Sequence, residues 1–549
     1  MNFAARILLL IVSVSLGATF AFAAQCTQPG KFCHIITVVQ ENRTPDNLFG
    51  ANLSFESGVD LAGGGYGNYV QNGLNIHAFI QDTPRDLKGC VPNDPTAKCF
   101  DPGHAHTDWT TDYDDTNMDG FCHQTAQTGQ CPQYSYVPQS DVQPYFDIAK
   151  SYGFANYFFQ TNEGPSYEAH QFLFSGTSAP VSPGQTQTYS QYFVSEIPSS
   201  GKNGESGCPY SGTNVPQWVH TDGTDFSDPR HPPNECYPHD TLVTNSNGDK
   251  GVTWGYYTPS VPAYWNAPEA LSEVCVLQYD SAGNAYCGGP EWSHVHVADT
   301  NGYSDAPIFD DLFNCNLPAI SWVIPDRQWS DHAGGGGGPN GPSFVGDIVD
   351  AVGNSWANTN HNCDYWGTNS PTPEPTAVFI LWDDWGGWFD HVHPWAVYTN
   401  PSDPAQCPST VAPNGWGCGY TSGFRVPLLV VSEYTPHYVS GACGAPPLHS
   451  CPNPGTNNVY VHDFGSVLAF TENNFGLKPI DQGDSTGYAD VNAPDNQNGN
   501  APLSDFFGSS QQTFTSIQTS VSYTCFHTYG VCTNTPFTPT GPDDDSGSD

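Results

Sequence analysis

The stretch WDDWGGWFDHV (382–392) sets two adjacent carboxylates, Asp383 and Asp384, directly after the apolar run AVFILW (377–382). A second apolar run, HIITVV (34–39), is followed almost at once by Glu41 and Asn42. The side-chain oxygens of Asp, Glu and Asn are the hard donors that divalent cations favour. Clustered carboxylates repel unless something positive sits among them. This chain is poor in such partners, with 13 Lys+Arg against 55 Asp+Glu. A divalent cation held by Glu41, Asn42, Asp383 and Asp384 resolves that conflict. The plainer reading is that the two aspartates cap a turn into Gly386 and Gly387.

A nucleophile candidate lies in TNEGPSYEAHQF (161–172). Gly164 and Pro165 break the chain and Ser166 opens a helical pattern. A helix N-terminus presents free N–H groups and a positive dipole end, which suits phosphate. Serine is also an ordinary N-cap. As a nucleophile Ser166 needs an activator, and a metal near its oxygen would lower its pKa. Both readings stay open. The 19 histidines, many in GHAH (103–106), SHVH (293–296), SDH (330–332), DHVH (390–393) and VHDF (461–464), offer proton donors for a leaving oxygen.

Elements must bring these residues together. Further apolar runs are AISWVI (319–324) and PLLVVS (427–432). Runs without alternation predict strands covered on both faces, hence a mostly parallel sheet with helices on both sides. Helical patterns fall at 141–153, 166–176, 343–355 and 463–476. Sites in open parallel sheets form outside the carboxyl ends of strands. That rule places Glu41 and Asn42 on the same sheet edge as Asp383 and Asp384. Segments 180–300 and 395–422 read as loop-rich excursions, and GGGGG (334–338) as a mobile loop. No repeat or interdomain linker is visible, which predicts one domain over 24–540 and an acidic tail over 541–549.

Composition narrows the class. Arg6, the apolar run Ile7 to Phe20 and the small-residue site Ala21 to Ala23 predict a secretory signal over 1–23. The formal net charge of -42 makes nucleic acid and anionic membrane surfaces poor partners. No other run is long enough to insert stably in a membrane. Eighteen cysteines fit an oxidising compartment. Close neighbours, such as Cys90 and Cys99, predict local disulfides that staple loops: the others are Cys26 and Cys33, Cys122 and Cys131, Cys407 and Cys418, Cys443 and Cys451, and Cys525 and Cys532. No Cys-x-x-Cys occurs, which disfavours zinc held by thiolates.

Several blocks carry a resemblance. HIITVVQENRTPDNLFG (34–50) resembles the opening block of the bacterial phosphoesterase family that contains secreted phospholipases C and an acid phosphatase. DPGHAHTDW and NMDGF (101–121), GPS (164–166), LPAISWVIPDRQWSDH (317–332), WDDWGGWFDHV (382–392), GFRVPLLVVS (423–432) and VHDFGSVLAFTENNFGL (461–477) are similar to later blocks in the same order. The resemblance implies an alkaline-phosphatase-like α/β core. It implies a divalent metal cofactor on Glu41, Asn42, Asp383 and Asp384, and Ser166 as the nucleophile that forms a phosphoseryl intermediate. His104 best matches the family histidine before Met-Asp-Gly-Phe, with His106 second. His332 and His391 match other family histidines. His462 matches less well, because the usual Asp-His order is reversed. Where the family often has Pro-Asn-Arg, this chain has Glu168-Ala169-His170. The expected substrate is a small-molecule or lipid phosphate ester, with His104 or His332 as the acid. Two rivals are a glycoside hydrolase with paired carboxylates and an exported binding protein with a structural calcium site.

Overall fold

Continuous apolar runs bury on both faces, and here they build one sheet. Its strands, in chain order, are β1 (His34–Gln40), β2 (Gly153–Ala155), β3 (Trp254–Thr258), β4 (Val295–Val297), β5 (Ile320–Val323), β6 (Thr376–Trp382), β7 (Leu428–Val431) and β8 (Tyr438–Ser440). The spatial order is β4-β3-β5-β1-β6-β7-β2-β8. β7 alone runs antiparallel to its neighbours β6 and β2, and the other pairings are parallel. This computed structural model describes residues between 30 and 521. Segments within 63–83, 93–98, 115–130, 179–251, 299–305, 335–339, 395–421, 445–459 and 481–487, and residues 262, 264 and 498, lie outside that description. So do the predicted signal segment, the acidic tail and nearly all of the glycine run.

β1 and β6 are the centre of the sheet and are buried along their whole length. Their register pairs His34 with Thr376 and Gln40 with Trp382, so both strands end level. Helices α1 (His106–Tyr113), α2 (Gln143–Ser151), α3 (Ser166–Ser175), α4 (Asn340–Gly353) and α5 (Phe464–Phe475) complete the scaffold. Alternation along the strands decides which helix covers which face. Thr37 pairs with both Phe379 and Trp322, so these three share a face. Phe174 of α3 packs on Trp322 at 4.9 Å and Phe470 of α5 on Phe379 at 5.3 Å. Trp382 points the other way and meets Tyr145 of α2 at 5.0 Å, with α4 packed beside α2. Helices therefore cover both faces, as expected.

The segment over 180–300 is not all excursion. It returns β3 and β4 to the main sheet beside β5. It also carries a hairpin, Val276–Tyr279 against Ala285–Gly288, closed by the Cys275–Cys287 disulfide. Cys90–Cys99 is the expected neighbour pair. Cys208–Cys236 and Cys315–Cys363 close longer loops, of 28 and 48 residues separation. Cys33, Cys131 and Cys443 are also disulfide-bonded. Their expected neighbours Cys26, Cys122 and Cys451 lie outside the described residues, as do the pairs at 407/418 and 525/532.

Candidate active site

The level ends of β1 and β6 place the hard-oxygen residues side by side. Asp383 N donates to Gln40 O at 3.0 Å, continuing the ladder one residue past the strands. Asn42 then turns into the left-handed region, with φ 65°, a conformation Asn tolerates better than most residues. Its N–H donates to Asp383 Oδ1 at 3.1 Å, and Asp384 N donates to the same oxygen at 2.8 Å. Asp384 Oδ1 accepts from Gly386 N at 2.6 Å. Gly386 has φ 59°, and a Cβ there would sit 2.4 Å from Asn42 O. A glycine is required for the two strand ends to approach so closely. The aspartates do cap the turn, as the plainer reading has it, but each spends one oxygen on that role.

Ser166 is the first residue of α3, and Pro165 occupies the cap position. Its hydroxyl is not used for capping. It donates to Asp384 Oδ2 at 2.9 Å and lies 3.4 Å from Asn42 Oδ1. Gln160 sets the preceding loop against the carboxylate turn. It accepts from Trp385 N at 3.1 Å and donates to Asn162 O and Gly164 O. One helical turn into α3, His170 Nε2 lies 3.4 Å from Asp383 Oδ2. Neither of these two atoms has a hydrogen bond among the described residues.

Two histidines flank this group. His104 Nδ1 donates to Pro102 O at 2.8 Å, which leaves Nε2 to accept from Asn42 Nδ2 at 2.9 Å. That bond also turns Asn42 Oδ1 toward Ser166. His332 packs edge to face on His104, with ring centroids 5.4 Å apart. Its Nδ1 donates to Ala333 O at 2.6 Å. Its backbone N–H donates to Ser330 Oγ, which in turn donates to Glu41 Oε2 at 3.1 Å. Anchoring both rings through Nδ1 assigns proton traffic at either ring to Nε2. Glu41, Asn42, Ser166, Asp383, Asp384, His104 and His332 are all buried.

Three other histidines are held elsewhere. His391 bridges Asp46 and Asp60, through Nδ1 at 2.8 Å and Nε2 at 2.9 Å. Burial alone would lower its pKa, but the two carboxylates hold it up at about 10. Arg425 completes that network, 2.9 Å from Asp390 and 3.3 Å from Asp46. Asp46, Asp390 and His391 bring ligand atoms within 4.8 Å of one another. That group nevertheless has its positive charge already, from Arg425 and His391. His106 pairs with Glu163 at 3.3 Å. His462 is locked by Asp495 at 2.9 Å.

The donor chemistry of the strand-end group suits a divalent cation. It offers three carboxylates and an amide. Asp383 Oδ2 is buried with no hydrogen bond among the described residues. Arg43, next in the chain, sends its guanidinium to Asp331 O, Leu87 O and Asn47 Oδ1 rather than to these carboxylates.

A central mostly parallel sheet with helices on both faces and acidic residues at its strand ends defines the class, a mixed α/β protein with its site at the carboxyl edge. Comparison of sequences gives the narrower group. The phosphoesterase family matches residues 32–478, and the chain belongs to that family. It is 21% identical over 461 residues to the non-hemolytic phospholipase C of Pseudomonas aeruginosa, covering 81% of this chain and 54% of that protein. It is 28% identical over 236 residues to phospholipase C B of Mycobacterium tuberculosis, covering 40% of this chain and 39% of the relative. The non-hemolytic phospholipase C of Burkholderia pseudomallei is 27% identical over 203 residues, 34% of this chain and 25% of the relative. The chain thus aligns with about half or less of each relative's length.

Proposed function

We propose that this chain is an exported, metal-dependent phosphoric ester hydrolase, of phospholipase C or acid phosphatase type, with Ser166 as nucleophile. The observation that carries the reading is the Ser166 hydroxyl, 2.9 Å from Asp384 Oδ2 at the start of a ten-residue helix. A serine spent on capping would not make that contact. Family membership and the relatives named as phospholipases C support a phosphate ester substrate. The four disulfides with both cysteines among the described residues support an oxidising compartment, and no described helix is long and apolar enough to cross a membrane. The net charge of -42 favours a zwitterionic headgroup over an anionic one.

Glu41, Asn42, Asp383 and Asp384 would hold a divalent cation, which when bound supplies positive charge beside the phosphoryl oxygens and the serine oxygen. The chain's own residues do the rest. The N-terminal N–H groups of α3 receive the phosphoryl group. Ser166 Oγ passes its proton to Asp384 Oδ2, which it already bonds, and attacks phosphorus in line, forming the Ser–O–P bond as the ester P–O bond breaks. His104 or His332, in its doubly protonated form, passes the Nε2 proton to the departing alkoxide. Water then attacks the phosphoserine, its hydroxyl going to phosphorus and its proton to that histidine, while Ser166 Oγ recovers its own proton from Asp384. The test is turnover of p-nitrophenyl phosphate, p-nitrophenylphosphorylcholine and phosphatidylcholine vesicles by purified protein. Ser166→Ala should lower kcat by at least about 10³-fold on whichever ester is turned over, while the melting temperature moves little. Near-full activity would reject the serine as nucleophile in favour of a water.

A further inference from the structure

The two buried polar atoms that face each other without a hydrogen bond, His170 Nε2 and Asp383 Oδ2, lie at the strand-end site itself. His170 is 2% exposed and Asp383 is 0% exposed, so water does not satisfy either atom in bulk. Burying such atoms without a hydrogen bond is costly. A 3.4 Å approach without hydrogen-bond geometry is poorly explained as an ordinary pair. Helical spacing explains how His170 gets there: it is four residues after Ser166, so both side chains lie on one face of α3. The serine meets Asp384 and the histidine meets Asp383, one turn deeper.

We propose that His170 is a nitrogen ligand of the cation held by Glu41, Asn42, Asp383 and Asp384, and that it biases the site toward a borderline metal such as Zn²⁺ over Mg²⁺ or Ca²⁺. The inference rests on the metal site proposed above. An all-oxygen set suits hard ions, whereas imidazole nitrogen suits zinc and its neighbours. Where the family often has arginine, which has no lone pair to offer a metal, this chain has histidine. His170 is compatible with a cation because its neutral form carries a lone pair.

Equilibrium dialysis of the full chain against Zn²⁺ and Ca²⁺, one at a time, reads the selectivity directly. Wild type should prefer Zn²⁺, and His170→Gln should lower the Zn²⁺/Ca²⁺ affinity ratio by at least ~10-fold with Ca²⁺ binding little changed. An unchanged ratio in a folded variant overturns the proposal and makes His170 a counter-charge for Asp383. Asp384→Asn separates the two levels of inference. If neither metal binds wild type, the metal site itself fails. If Asp384→Asn abolishes binding but His170→Gln leaves the ratio intact, only the present proposal fails. Should His170→Gln not fold, pulsed EPR of Mn²⁺-loaded wild type, His104→Gln and His332→Gln decides. A directly coordinated imidazole nitrogen signal present in all three assigns it to a histidine other than those two. Its absence from wild type overturns the proposal.

Discussion

At the residue scale, two kinds of histidine separate by what their nitrogens touch. His104 is anchored through one nitrogen and meets Asn42 with the other, whereas His391 has both nitrogens committed to carboxylates. His104→Gln should therefore lower turnover with little loss of stability. His391→Gln should do the reverse, lowering the melting temperature by removing the partner of two buried aspartates. Breaking one member of a buried charged network costs about 3–5 kcal/mol. Parallel melting and rate measurements on the two variants check this, and equal loss of both properties in both would contradict it. The strand-end cluster of hard-oxygen residues was legible because apolar runs lead into Glu-Asn and Asp-Asp in a chain with only 12% charged residues. The Asp46–Asp60–Asp390–Arg425 network was not, because its members are dispersed singly and meet only in the fold; Arg425 bonds to Asp390 across 35 positions and to Asp46 across 379.

At the scale of elements, the turn after β6 fixes the distance between the two strand ends. Gly386→Ala would force a Cβ against Asn42 O and demand a positive φ from a residue with a side chain. The conformation alone costs roughly 1–2 kcal/mol, and the clash must displace Asn42. We expect activity to fall more than stability, with partial recovery at raised metal concentration; a variant as active as wild type would show that Asn42 placement is not limiting. The main strands and helices were legible from unbroken apolar runs and helical spacing. The direction of β7 was not, since burial on both faces says nothing of polarity along the strand. β3, WGYYT, was hidden because it is short, aromatic and set in a segment rich in Gly, Pro and Asn.

At the scale of the whole molecule, the buried carboxyls favour the folded state in acid. Burial pushes Glu269, Glu433 and Asp463 up to about 8 and Asp347 up to about 7. Each folded pKa exceeds the unfolded value of 3.8 or 4.5, so the native state keeps protons that the unfolded chain releases. Their contribution is complete near pH 4 and declines as pH rises toward 8. His391 and His462, both held up at about 10 by carboxylates against the opposing effect of burial, extend the decline above pH 6.5. His34, lowered to about 4 by burial, opposes the trend between those values. On the acid side Asp46, Asp60 and Asp505 are held below 3.8 by their cationic partners despite burial, and their contribution is lost as pH falls through that range. Self-repulsion also fades as pH approaches the isoelectric point near 4.3. The melting temperature should peak at about pH 4–5.5, and a scan from pH 3 to 9 peaking above about pH 7 would contradict the assignment of these carboxyls.

The central position of β1 has a consequence for how the chain reaches this state. The strand is made first, yet its partners in β5 and β6 are made hundreds of residues later: Asn42 bonds to Asp383 across 341 positions, and Phe32 is tied to Asn474 across 442. At a synthesis rate of about 5–20 residues per second, this central strand waits on the order of half a minute for its neighbours. Loop closure over such distances makes assembly slow. The nascent chain therefore has no native sheet centre, and no assembled site, until most of the protein exists.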